Sequence, residues 1–476
     1  MINRGQNDGH WYDGVTRYQW LVLIIASLGW VFDVFEGQIF VASMNEAMPS
    51  LLPDEVKRLD EKTQDGYKAF YNNVALTSFL AGGACGGILF GRLSDRVGRT
   101  GTMILTIAVY SAFTFLSALS QAWWHLALFR FLVAIGVGGE WAVASALVAE
   151  VFPSRARAWS LAIFHASSVL GTFLAIAIGI LAKPNLLFNF VLFGNALEIP
   201  GWRLGFLLGG VPALLIVWIR LSLREPNDAH AKPRRFESDT PPARFWDVFR
   251  TGLLSKTAIG VGLAGVGLAT FWGVHIYGKD LLRSAKEKEF LAQVLAREDN
   301  HVLPECLSPQ EKAALLQPFA ESIKNWELFG MSLVTLGGGL GLVFFGPLCE
   351  WVGRRGAFLA FQFGGLILSV ILFQFVTVDA LLLVTLPIFG FWTLGMHAGF
   401  AVFFPELFPK NLRGTGTGVC FNVGRVLAAP ALLLSGWMQK NWHWSLENSA
   451  TVLSLLFLLG PLLLIRAPEA RGRELA

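Results

Sequence analysis

The 476-residue chain is 54% apolar and only 15% charged, with a mean hydropathy of +0.53, where a soluble domain carries about a quarter charged residues. This excludes an ordinary soluble enzyme, and a net charge of +4 spread over short loops gives no footprint for a nucleic-acid partner. The four cysteines (Cys85, Cys306, Cys349 and Cys420) and the eight histidines lack the spacing of a disulfide framework or a metal site. No nucleophile, metal or cofactor signature rises above chance, so no enzyme activity is expected.

Apolar runs of about 20 residues, the length that crosses a bilayer, are predicted at 18–43, 69–90, 101–120, 123–149, 157–182 and 202–223, and again at 254–278, 328–349, 356–377, 380–404, 413–438 and 446–466. The first is too long for a signal-peptide core and lacks a small-residue cleavage site, so it is expected to be retained. The expected architecture is an all-α membrane protein of twelve spans. Residues 1–223 form one six-helix bundle, 224–253 a cytoplasmic linker and 254–476 a second bundle. The apolar segment Leu186–Phe193, bounded by Pro184 and Pro200, is too short to span and reads as a buried or interfacial helix. Two external loops are long, Asn45–Lys68 and 279–327. The second contains helix-like stretches at Leu291–Arg297 and Glu311–Gln317 and reads as a solvated cap.

Positive charge orients the chain. Arg92, Arg96 and Arg99, then Arg155 and Arg157, the linker cluster Lys232, Arg234 and Arg235, and later Arg354, Arg355, Lys410 and Arg413 fall on one side if both termini are cytoplasmic. Trp123, Trp124, Trp202, Trp326, Trp437 and Trp442 mark the opposite interface. A multi-pass protein of the cytoplasmic (plasma) membrane is expected, working as a monomer within the lipid bilayer.

Gly91-Arg-Leu-Ser-Asp95-Arg96-Val-Gly98-Arg99 returns 255 residues later as Gly346-Pro-Leu-Cys-Glu350-Trp-Val-Gly353-Arg354. Each copy is trailed by a matched element, Glu150-Val-Phe-Pro153 with Arg157 and Glu406-Leu-Phe-Pro409 with Arg413. The Asp95–Glu150 interval is 55 residues and the Glu350–Glu406 interval 56. Matched charged elements in both halves of an apolar chain mark a duplicated membrane unit. The Gly91–Arg99 run resembles the loop 2–3 signature of the major facilitator superfamily, with Thr100, Glu350 and Trp351 departing from it. The resemblance covers all twelve spans and implies a transporter whose two bundles rock about a central site. It further implies a cytoplasmic gate: Asp95 against the start of span 11, a helix N-terminus whose dipole favours a carboxylate, and Arg99 with Glu150, the set repeated by Glu350, Arg354 and Glu406. Gly82, Gly83, Gly86 and Gly87, then Gly136, Gly138 and Gly139, then Gly337 and Gly341 are small residues spaced for close helix approach.

Ionisable residues inside a membrane are costly unless paired or hydrated, and so mark function. Asp33 and Glu36 are three residues apart on one helix face. At about 1.5 Å per residue Asp33 lies roughly 15 Å below the outer end of its span and Arg130 roughly 10 Å below Trp123; the resemblance implies that their spans meet around the central cavity, so an acid–Arg pair is expected, with Glu140 as a further proton candidate. The run Gly29–Glu36 resembles span 1 of organic-acid:proton symporters, especially the sialate and aromatic-acid groups. Arg130–Trp141 resembles span 4 of those groups and of metabolite:proton and sugar-porter-like members. Arg425 with Asn422, and His165, His275 and His397, are the expected substrate contacts, with Trp272, Tyr277, Trp392 and Phe400 as candidate walls. The expected function is proton symport of a small polar metabolite, an organic anion such as a carboxylate favoured. The alternatives are a sugar transporter, a drug or metabolite efflux antiporter and a transporter-like nutrient sensor, for which the short linker and tail offer no output domain.

Overall fold

The computed structural model describes residues 12–97, 99–182, 187–192, 195–222, 245–297, 307, 309–409 and 412–469. In chain order the helices are α1 (Arg17–Ser50), the short α2 (Asp54–Lys57), α3 (Glu61–Val97), α4 (Arg99–Ser117), α5 (Trp123–Val151), α6 (Ser154–Ala166), α7 (Ser168–Gly179), α8 (Gly201–Leu208), α9 (Ala213–Ser222), α10 (Leu254–Gly273), α11 (Gly278–Arg297), α12 (Pro309–Leu316), α13 (Ala320–Gln374), α14 (Asp379–Gly395), α15 (Ala398–Leu407), α16 (Arg413–Asn441), α17 (Leu446–Ser454) and α18 (Leu459–Leu464). Among the described residues, ten helical stretches are long and apolar enough to cross a membrane. The 29-residue α5, with apolar runs on both sides of Arg130, adds another crossing, and α8 with α9 completes the sixth of the first half. The result is a multi-pass membrane protein of two six-helix bundles.

The packing repeats with the sequence. In the first half α1 lies on α7 and α3 on α5; in the second α10 lies on α16 and the first part of α13 on α14. The halves meet through α3 against α16 and α7 against α13. Glycine sets the closest approaches: a Cβ at Gly82 or Gly86 would run into the backbone of Phe131 or Ile135, and one at Gly337 or Gly341 into the backbone of Pro387 or Phe391. These two pairs are themselves 255 residues apart. Because backbone cannot retreat as a side-chain tip can, Gly86→Leu is expected to destabilise the protein by about 3 kcal/mol or more. A detergent thermal-unfolding midpoint equal to that of the parent would count against this close contact.

Local chemistry fixes the ends. Thr16 and Gln19 form a reciprocal capping box at the start of α1. Gln19 Nε2 also donates to the carbonyl of Val151 at 2.8 Å, satisfying an end group of α5. The long α13 is two spans joined at Gly353, whose φ of 81° needs glycine. The Glu469 carboxylate accepts the backbone N–H groups of Arg354 and Arg355, both at 3.1 Å, where the second span begins.

Three segments differ from expectation. Leu187–Leu192 is not a helix but a β-strand, β1, paired antiparallel with β2, Asn195–Pro200, from Leu187 opposite Pro200 to Leu192 opposite Asn195. Six residues rich in aromatic and branched side chains suit a strand once a neighbour supplies backbone partners, and the partner was not visible from the apolar run alone. The region 279–327 is largely helical, as α11, α12 and the start of α13. Its ends are interior rather than solvated, Lys279 being 2% and Glu327 0% exposed. Most of the linker expected at 224–253 lies outside the described residues; Phe245–Phe249 forms a single 3₁₀ turn.

Candidate functional site

A cavity of about 160 Å³ lies between the halves. The first half contributes Trp30, Asp33, Gln38, Phe79, Trp141 and His165, from α1, α3, α5 and α6; the second contributes Trp272, His275, Lys279, His397, Phe421 and Arg425, from α10, the following 3₁₀ turn, α11, the α14–α15 junction and α16. Its wall is mostly apolar, with aromatic rings from both halves. Trp141 stacks on Phe421 across the two halves with centroids 4.8 Å apart, His165 stacks on Trp30 at 5.8 Å and Phe271 on His275 at 4.9 Å. Of the candidate wall residues, Trp272 and Phe400 line the cavity. The Tyr277 hydroxyl instead joins Asn73 at 3.1 Å and Ser435 at 3.0 Å, and Trp392 packs on Phe361 at 5.1 Å.

Besides Lys279, which is ion-paired, two opposite charges face this space. Asp33 on α1 is 1% exposed and neither carboxylate oxygen has a hydrogen-bond partner among the described residues. Arg425 on α16 is 9% exposed, with its guanidinium carbon 4.7 Å from the Phe421 ring centre and one terminal nitrogen unpaired. It reaches across to the first half, over Gly83 of α3, where a Cβ would stand 2.7 Å from that nitrogen.

Arg130 and Glu36 sit behind the cavity wall instead. Glu36 is turned from Asp33 toward α4, where Thr114 donates to its carboxylate. Arg130 donates to the Glu36 carbonyl at 2.6 Å and stands 4.0 Å from its carboxylate. The guanidinium is sandwiched between Phe79 and Phe206, 5.4 and 5.6 Å from the ring centres. Thus Arg130 meets Glu36 rather than Asp33; three residues along a helix share a face only broadly, about 60° apart. Glu140, wholly buried and outside the cavity lining, accepts from Thr106 and occupies the space left by the missing side chain of Gly29.

The three candidate histidines, His165, His275 and His397, all line the cavity. His275 Nδ1 is 2.6 Å from the Thr393 hydroxyl and His397 Nε2 is 3.2 Å from the Gly267 carbonyl. Asn422 does not line it: its amide donates to Gly418 at 2.9 Å and packs where Gly87 leaves room on α3. Of the gate residues, Arg354 is bonded to Glu406 at 3.0 Å. Gly91 lies in α3, whereas Gly98 lies outside the described residues, as do the side chains of Asp95, Arg96, Arg99, Glu150, Arg157, Glu350 and Arg413.

Sequence reasoning missed a second polar cluster at the Glu46 end of α1. Glu46, Lys279, Asp280, Arg283, Lys324 and Glu327 form a connected set of ion pairs. The available signal was Lys324 and Glu327 at i, i+3 beside an apolar run, discounted because charges at a span end are ordinarily solvated.

A family profile described as Major Facilitator Superfamily matches residues 38–284. The chain is 27% identical to a putative metabolite transport protein of Haemophilus influenzae over 97% of this chain and 99% of that one. It is 28% identical to the sialic acid transporter NanX of Escherichia coli, covering 89% and 88% respectively. The inward-open structure of the xylose transporter XylE from E. coli superposes with a TM-score of 0.64 at 16% identity, covering 96% of this chain and 98% of that one. That likeness bears on the arrangement of helices alone.

Proposed function

The chain belongs to the Major Facilitator Superfamily, and from that premise we propose that it moves a small organic anion together with a proton, exposing the central cavity alternately to the two sides of the plasma membrane. In this reading both termini are cytoplasmic, the Glu46 end of α1 faces outward, and a single copy suffices. The two moving bodies are residues 1–223 and 254–476.

The observation that carries the proposal is the pair of unpartnered opposite charges, Asp33 and Arg425, facing one aromatic-lined cavity from opposite halves. An arriving carboxylate offers Arg425 a bidentate partner in place of the field of Asp33. Asp33, Glu36 and Glu140 set three carboxylates against the two guanidiniums Arg130 and Arg425. A substrate anion adds another negative charge, which a low-dielectric interior resists. Protonation of Asp33 as the anion binds offsets the added charge and returns the cluster to its starting balance, so the two cargoes travel together. Arg130, held by Glu36, fixes α1 against α5 and transmits the change. The similarity to a sialic acid transporter supports an acidic substrate. The cytoplasmic gate is proposed for Asp95, Arg99, Glu150 and Arg157 and their counterparts Glu350, Arg354, Glu406 and Arg413.

Gln38, Ser168, Thr172 and Thr335 also line the cavity and favour a second reading, in which sugar hydroxyls are the groups recognised. Uptake by the full chain in proteoliposomes under an inward proton gradient separates the two. Accumulation of carboxylates such as benzoate and sialic acid, with their neutral amides and xylose excluded, is expected. Accumulation of xylose alone would replace the first reading with the second.

A further inference from the structure

At the Glu46 end of the cavity three cations and four anions form one network, with Glu287 at its rim, 2.9 Å from Arg283. Glu46 of α1 lies 2.7 Å from Lys324 and 3.4 Å from Arg283. Glu327 pairs with Lys279 at 2.8 Å, with Arg283 at 2.7 Å and with Lys324 at 3.2 Å, and Asp280 pairs with Lys279 at 2.8 Å. The first half supplies the single carboxylate of Glu46, with the Ala42 carbonyl accepting from Lys324 at 2.6 Å and the Asn45 amide donating to Asp280 and Glu327, both at 3.2 Å. Everything else in the cluster belongs to α11 and α13. Lys324 and Glu327 are 1% and 0% exposed, and Lys279 also lines the central cavity, so the network is the roof of that space.

The charge balance changes when the halves part. Closed, the seven groups sum to one negative charge. Once α1 withdraws, Glu46 goes with it, and α11 and α13 keep Lys279, Arg283 and Lys324 against Asp280, Glu287 and Glu327, so that Lys324 and Arg283 are each short of the carboxylate they shared. Lys324 then loses two of its three acceptors at once, the Ala42 carbonyl and the Glu46 carboxylate.

We propose that Lys324 and Arg283 form an entry site for an organic anion, and that Glu46 is its built-in occupant: a carboxylate of the protein that holds the roof shut and that the substrate's carboxylate replaces when the outer side opens. The inference rests on the reading of this chain as an organic-anion carrier, and it places a second anion site above the one at Arg425. Glu46 and the substrate compete for the same two cations, so outward opening is favoured where external anion is plentiful.

A latch and an anion site make different predictions for the two halves of one ion pair. Glu46→Gln and Lys324→Gln both break the Glu46–Lys324 contact, so a latch alone gives both the same effect. An anion site gives opposite effects. Spin labels at Ser50→Cys on α1 and Gln317→Cys before α13, both exposed positions, with the four native cysteines replaced by alanine, report roof opening in the full chain in vesicles. External benzoate is expected to lengthen the distance in the parent, with benzamide, its neutral isostere, inert. The half-saturating benzoate concentration falls about tenfold in Glu46→Gln and rises about tenfold in Lys324→Gln, while Lys324→Arg stays within about threefold of the parent. The opening response persists in Arg425→Gln, whose uptake reports separately on the central site. A shift in the same direction for Glu46→Gln and Lys324→Gln, no benzoate response in the parent, or loss of the response in Arg425→Gln would each overturn the entry site. Should Lys324→Gln fail to fold, an unchanged midpoint in Glu46→Gln is sufficient to overturn it.

Discussion

Asp33→Asn is expected to abolish uphill uptake while leaving exchange of substrate down its own gradient. One proton coupled to a pH difference of about one unit is worth about 1.4 kcal/mol, enough for about tenfold accumulation. With asparagine at position 33 the cavity stays close in shape but has no carboxylate to titrate. Internal substrate should then rise only to the external concentration, while counterflow from preloaded vesicles continues at a measurable rate. Its location supports this more strongly than its charge does. Asp33 is the acid of the three that lines the cavity, whereas Glu36 and Glu140 are held by Thr114 and Thr106 behind the wall. Retained accumulation under a proton gradient in Asp33→Asn would remove the coupling role assigned to it.

Arg130→Leu should have the larger effect on stability. The Arg130 side chain is fully buried, and removing it leaves the Glu36 carboxylate without its cation in a low-dielectric setting. Breaking one side of a buried pair costs about 3–5 kcal/mol, whereas replacing both partners with neutral groups costs far less. Arg130→Leu is therefore expected to lower the detergent melting temperature and abolish transport. Adding Glu36→Leu should recover most of the stability but none of the activity, because the tie between α1 and α5 is still missing. If the double variant melted as early as the single one, the loss would come from packing against Phe79 and Phe206 and not from the unpaired charge.

The duplication was legible because its marks are local and repeated. Gly91–Arg99 and Gly346–Arg354 recur at the same offset as the contact glycines Gly82, Gly86, Gly337 and Gly341, and bilayer-length apolar runs leave few other folds. That Asp33, Arg425 and the three histidines line one cavity was also accessible, since a polar group deep in an apolar span tends to face an interior space. Which acid meets which cation was not. Depth along a helix follows from counting residues, but rotation about its axis depends on packing, and that rotation sends Asp33 to the cavity and Glu36 to Thr114 and Arg130. Asn422 was displaced from the site for the same reason, through a partner, Gly87, on a helix of the other half. The roof network stayed hidden because its charges come from three separate helices and meet only once those helices are assembled.

The most direct test of the central claim reads both cargoes at once. Proteoliposomes enclosing a pH-sensitive dye receive an external organic acid that the full chain accumulates, with protein-free vesicles correcting for passive permeation of the protonated acid. Internal acidification that tracks acid entry in a constant ratio, and disappears in Asp33→Asn, is the predicted result. Acid entering through the protein while internal pH follows the protein-free control would contradict it.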